Sequence, residues 1–73
     1  MNDPYATSIR YLENGGIARN MQCIANLYEL SIFVGGEQRR MRRIANGAAV
    51  IGWRICYTRD NETVTLAQWG QVP

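Results

Sequence analysis

Residues 35–53 read GGEQRRMRRIANGAAVIGW, with two glycines and an acid at one end, four arginines within five residues, and Gly52-Trp53 at the other. On a helical template Met41, Ile44, Ala45 and Ala48 recur at i, i+3, i+4 and i+7, the apolar stripe of a helix lying on a core. Arg39, Arg42, Arg43 and Asn46 then project from the opposite side, and Arg40 from the flank nearer Ile44. Glu37 falls in the first turn, where a negative charge suits the positive end of the helix dipole. Gly35 and Gly36 supply the break before this helix and Gly52 the stop after it. Gly47 weakens the interior by about 1 kcal/mol relative to alanine, so the turn from Ala48 to Ile51 is expected to fray or bend.

Upstream, the same period suggests two more helices. Asp3 before Pro4 has the form of an N-cap followed by proline at the first helical position. Tyr5, Ile9 and Leu12 then share one face, and Asn14-Gly15-Gly16 ends the segment in a left-handed cap. From about Ala18 to Leu30, Met21, Ile24, Leu27 and Tyr28 make a second stripe with Ala25 beside them, and Asn20 is an alternative cap for a later start. Ser31 to Gly36 reads as a turn, although an apolar one, since it holds Ile32, Phe33 and Val34; a short extended segment is the other reading.

Downstream of Gly52 the period changes to two. Trp53–Thr58 and Thr63–Trp69 are β-branched or aromatic runs around Asp60-Asn61, a two-residue hairpin turn. That turn sets Ile55 opposite Leu66, Tyr57 opposite Val64 and Arg59 opposite Glu62, with Arg54, Cys56, Thr58, Thr63, Thr65 and Ala67 on the other face. Residues 70–73 are expected to be loose. The predicted fold is therefore α+β, three short helices followed by a C-terminal β-hairpin. That element order resembles a winged helix-turn-helix, with the arginine-rich helix in the recognition position and the hairpin as wing. Ser31–Gly36 departs from the pattern, being longer and more apolar than the usual three- or four-residue turn.

With 73 residues, 47% of them apolar and 19% charged, the chain is expected to form one small domain, 1–73, without disorder. No apolar run approaches the roughly 20 residues that span a bilayer. MNDPYATSIR lacks the basic and apolar segments of a leader, so a cytoplasmic address is expected. Two cysteines and no histidine cannot make the usual four-ligand zinc site. Cys23 and Cys56 are expected to be small buried hydrophobes, unpaired. Trp53 is expected to close the core under the hairpin; Trp69 is open to either reading, and the tyrosines are expected to be half-buried.

Chemistry is sparse. No histidine serves as a base, no carboxylate pair falls on one predicted face, and the glycine pairs are explained as element boundaries, so neither an enzyme nor a cofactor or metal site is expected. The net charge of +2 conceals a cluster: six arginines and no acid lie between Gln38 and Arg59, and every basic residue is arginine. A charge run is usually a solvated helix face, but four like charges in five residues repel one another where interleaved acids would not. The expected partner-binding residues are Arg39, Arg40, Arg42, Arg43, Arg54 and Arg59, with Phe33 as an apolar anchor, although Ile32, Phe33 and Val34 are equally open to a reading as a plug in the core. One reading places Arg39, Arg42, Arg43 and Asn46 in a DNA major groove with Arg59 on a phosphate. The other sets the arginines on an acidic protein surface. The absence of an evident dimerisation helix favours protein, because DNA readers of this size usually need two half-sites.

The whole chain, from MNDPYATSIRYLENGG through GGEQRRMRRIANG to LAQWGQVP, resembles the very small transcription regulators encoded by lytic phages of Xanthomonas-type bacteria. The resemblance implies a protein of the host bacterial cytoplasm that binds the two large subunits of the host RNA polymerase near the RNA exit channel. It further implies inhibition of sigma-dependent initiation and passage through terminators. It carries no motif that transfers individual contact residues. From the residues themselves, a monomer is expected for want of a dimerisation helix, and arginines not used on the protein are open to RNA or DNA phosphates.

Overall fold

The computed structural model describes residues 3–45 and 49–73. They form β1 (Tyr5–Leu12), β2 (Ile17–Cys23), α1 (Leu27–Ala45), β3 (Val50–Arg59) and β4 (Glu62–Gly70). The four strands make one antiparallel sheet in the order β2-β1-β3-β4, and α1 lies across one of its faces. The chain is α+β, but its helix stands mid-chain between two hairpins. There is no helix-turn-helix among the described residues, and the winged-helix reading of a groove-entering third helix falls with it. Among the described residues, no helix is long and apolar enough to cross a membrane.

The segment expected to be a first helix is β1. Its residues satisfy two periods at once: Tyr5, Ile9 and Leu12 fit a helix, while Tyr5, Thr7, Ile9 and Tyr11 alternate with Ala6 and Ser8 as a strand requires. Pairing with β3, from Tyr5 opposite Thr58 to Leu12 opposite Val50, selects the strand. Asn14-Gly15 is then a hairpin turn instead of a helix cap. Asn14 Oδ1 accepts the Gly16 N–H at 2.9 Å, and Gly15 takes a φ of +88°. β2, expected within a second helix over Ala18–Leu30, follows as an edge strand paired with β1 from Tyr11–Ile17 to Tyr5–Cys23. Cys23, expected to be buried, is exposed on that edge; Cys56 is buried, and both thiols are free.

α1 begins at an Asn26 N-cap, with Glu29 reaching back past it to Ala25, well upstream of the expected helix start. Asn26 Oδ1 accepts the Glu29 N–H at 2.9 Å, and Glu29 Oε1 accepts the Ala25 N–H at 2.7 Å. The helix then runs through Ser31–Gly36, the expected turn, and through Gly35-Gly36, the expected break. Two interior glycines cost about 2 kcal/mol relative to alanine. Burial of Phe33 and Met41 on either side of them offsets this, at about 1.5–3 kcal/mol for each large apolar side chain. The expected continuation over Asn46, Gly47 and Ala48 lies outside the described residues.

Phe33 and Met41 pack on Ala6, Trp53 and Ile55, with Ile24 closing one end and Leu30, Val34, Tyr57 and Ala67 at the margin. Glu37 points into this layer, not into a first turn. Asn20 Nδ2 donates to its Oε1 at 2.7 Å, Ser8 Oγ donates to its Oε2 at 3.2 Å, and Arg40 pairs with that Oε2 at 3.1 Å. A buried carboxylate thus has its acceptors engaged, as burial demands, and ties α1 to both β1 and β2.

The second hairpin forms where the sequence places it. Asp60 and Asn61 take φ of 51° and 67°, the two positive values of a type I′ turn. Tyr57 opposes Val64 and Arg59 opposes Glu62, as expected, but Ile55 opposes Ala67 rather than Leu66. A bulge after Ile55 leaves Leu66 as the extra residue and brings Ala67 to the helix side. Gly52 is no helix stop; it lies within β3 opposite Gly70, and the Gln71 N–H, in the stretch expected to be loose, donates to Ile51 O at 2.9 Å.

Candidate docking face on the helix

The buried stripe of α1 comprises Leu30, Phe33, Val34, Glu37 and Met41, so the opposite stripe carries Tyr28, Ile32, Gly35, Arg39 and Arg43. The N-cap sets this phase. Counting from Asn26 places Tyr28 and Ile32 in line with the arginines, which a helix beginning at Gly35 could not do. The outward stripe is therefore divided along its length. Its first half is apolar and open, with Tyr28 73% and Ile32 56% exposed, while Leu27, 77% exposed, stands on the flank nearer the sheet. Its second half is cationic. From Tyr28 to Arg43 the stripe spans roughly 22 Å at 1.5 Å per residue.

Arg39, Arg42 and Arg43 are exposed, and none of the described carboxylates pairs with them. Arg42 and Arg43 occupy the last turn of α1, where a cation suits the negative end of the helix dipole. Arg40 turns to the flank and is held by Glu37. Three of the four clustered guanidinium groups are thus left available to a partner.

The remaining expected site residues are elsewhere. Phe33 is 6% exposed in the core and anchors the helix, not a partner. Arg59 is at the tip of the β3–β4 hairpin, beside the start of α1 and 3.8 Å from Asp60. Arg54 is on the sheet face turned away from the helix, since Trp53 and Ile55 on either side of it face the core. Neither extends the cationic end of α1. Strand alternation brings Arg10 there instead: it follows Ala6 and Ser8 on the helix side and pairs with Trp53, which itself pairs with Trp69. Trp69 is half-exposed, and with Trp53, Arg42 and Ala45 it lines a cleft of about 270 Å³ at that end.

The arrangement offers hydrophobic contact and guanidinium hydrogen bonds in one continuous strip. Among the described residues no group of three or more His, Cys, Asp or Glu side chains gathers as a metal site would require. Comparison with protein-family models, with curated proteins and with solved structures finds no match to this chain.

Proposed function

We propose that this chain is a small phage transcription regulator that binds the host RNA polymerase through the outward face of α1. The observation that carries the docking surface is the division of that face into an open apolar half, Tyr28 and Ile32, and a half bearing Arg39, Arg42 and Arg43 without acidic partners among the described residues. Apolar anchors beside arginines are what a protein interface uses, the former for desolvation and the latter for bidentate bonds to carboxylates. The choice of polymerase rests on the whole-chain resemblance to the phage regulators. The same resemblance supplies the expected outcome, which is fewer sigma-dependent starts and more passage through terminators.

Physically, the arginines bring the protein onto an acidic surface and the apolar half holds it there. Charge-assisted bonds are roughly twice as strong as neutral ones, and the exposed ones weaken as salt rises. The test is retention of polymerase large subunits from host lysate on immobilised protein. Replacing Arg39, Arg42 and Arg43 together by glutamate is expected to abolish retention while leaving the circular-dichroism spectrum unchanged. Equal retention by the folded triple variant removes the arginine cluster from the mechanism.

A further inference from the structure

The sheet face away from α1 has no second layer over it among the described residues. Strand pairing arranges its side chains in four rows across β2, β1, β3 and β4: Ile17, Tyr11, Gly52 and Gly70; Arg19, Ile9, Arg54 and Gln68; Met21, Thr7, Cys56 and Thr65; and Cys23, Tyr5, Thr58 and Thr63. Two cations stand in these rows and no acid does. All six acids of the chain lie off these rows.

Although no element covers them among the described residues, Ile9 and Cys56 are 7% and 6% exposed. A shallow depression of about 280 Å³ remains, lined by Tyr5, Ile9, Arg19, Met21, Cys56 and Thr63 among others. Arg54 adds a second, independent observation. Its Nε is buried and has no hydrogen-bond partner, the one such side-chain atom among the described residues. A buried donor without an acceptor is costly; the rest of the Arg54 side chain is only partly buried, and an anion on this face meets the guanidinium there.

We infer that this open sheet face binds single-stranded RNA. Tyr5 and Tyr11 stand on one strand with their Cα atoms about 20 Å apart at 3.4 Å per residue, and Arg19 and Arg54 flank Ile9 in the row next to Tyr11. Aromatic rings on a sheet stack splayed bases, typically two or three of them, while arginines hold the backbone. The hydroxyls of Thr7 and Thr65 and the amide of Gln68 offer partners to 2′-hydroxyl groups. A duplex does not fit, since among the described residues no helix or ribbon rises from this face to enter a groove. A second copy does not fit either, because facing sheets would oppose four arginines and no acid. The inference is independent of the polymerase proposal, for the two surfaces lie on opposite sides of the molecule.

The test measures fluorescence anisotropy of labelled probes with the purified full chain: a mixed-sequence eight-nucleotide RNA, the DNA of the same sequence, a DNA duplex and a poly-glutamate peptide. The RNA is expected to bind most tightly. Tyr5→Leu and Tyr11→Leu, which keep apolar bulk on the strand, are each expected to weaken it about tenfold. Arg19→Gln, at an exposed position, lowers the slope of log K against log salt by about 0.7 for each phosphate it no longer neutralises. Replacement of Arg39, Arg42 and Arg43 by glutamine should leave tyrosine-dependent RNA binding in place, which separates this face from the helix. The inference is overturned if the sheet variants bind RNA as the parent does. Equal binding of single-stranded DNA, duplex or poly-glutamate overturns it too, as does loss of RNA binding in the helix variant alone.

Discussion

One substitution made at two glycines has opposite expected signs. At Gly36, in the middle of α1, an added Cβ meets nothing within 4 Å, and the backbone is helical. Gly36→Ala therefore removes only the entropic cost of a helical glycine, a gain of about 1 kcal/mol. At Gly52, a Cβ collides with Gln71 O and falls 2.7 Å from Gln71 N and C, all backbone atoms that cannot swing aside. Making room displaces Gln71, breaks its hydrogen bond to Ile51 O, and loosens the end of β4 from Gly70, itself held at a φ of +72°. Overpacking of this kind costs about 1–3 kcal/mol. Thermal melts followed by circular dichroism read both, since 1 kcal/mol moves the midpoint of a domain this size by roughly 4–8 °C. Gly36→Ala should raise the midpoint and Gly52→Ala should lower it. The double variant should fall at the sum within about 0.5 kcal/mol, because the two sites share no partner. A drop for Gly36→Ala, or no change for Gly52→Ala, refutes the reasoning about where the chain tolerates a methyl group.

Further outcomes follow from other parts of the molecule. Glu37→Ala leaves the Ser8 hydroxyl and Asn20 amide without their shared acceptor and should lower stability in urea titrations by about 1–3 kcal/mol. Phe33→Ala opens a cavity between α1 and the sheet and should cost about 3–5 kcal/mol, whereas Ile32→Ala, one residue away and exposed, should stay within about 0.5 kcal/mol. Asn26→Ala removes the helix cap and should cost about 1 kcal/mol, with reduced helical signal as the check. A thiol reagent added to native protein should modify Cys23 promptly and Cys56 only after denaturant is added.

The C-terminal hairpin is legible because its determinants are local. Asp60-Asn61 tolerates the positive φ values of a tight turn, and the runs on either side alternate with period two. The bulge that replaces Leu66 with Ala67 opposite Ile55 is not legible, since it depends on what α1 packs against. The outward arginines are legible as a helical face, but the cap at Asn26–Glu29, local as it is, is missed because those residues also continue an apolar stripe from Met21 and Ile24. Gly35-Gly36 masks it, because a glycine pair looks like a boundary until burial on both sides outweighs its cost.

By itself the sequence determined a single glycine-punctuated α+β chain, a helix over the arginine cluster, a closing hairpin, and an excess of guanidinium groups facing outward. Only the tertiary structure decided that Tyr5–Leu12 and Ile17–Cys23 are strands, that Glu37 is buried, that Phe33 is core, and that Arg54 and Arg59 lie apart from the cluster. The physical reason is one of range. Turns, caps and helix faces are set by residues a few positions apart, and those interactions can be counted along the chain. β1 meets β3 across some fifty residues in Tyr5–Thr58, and an eight-residue run that satisfies both periods is assigned by whichever partner buries it.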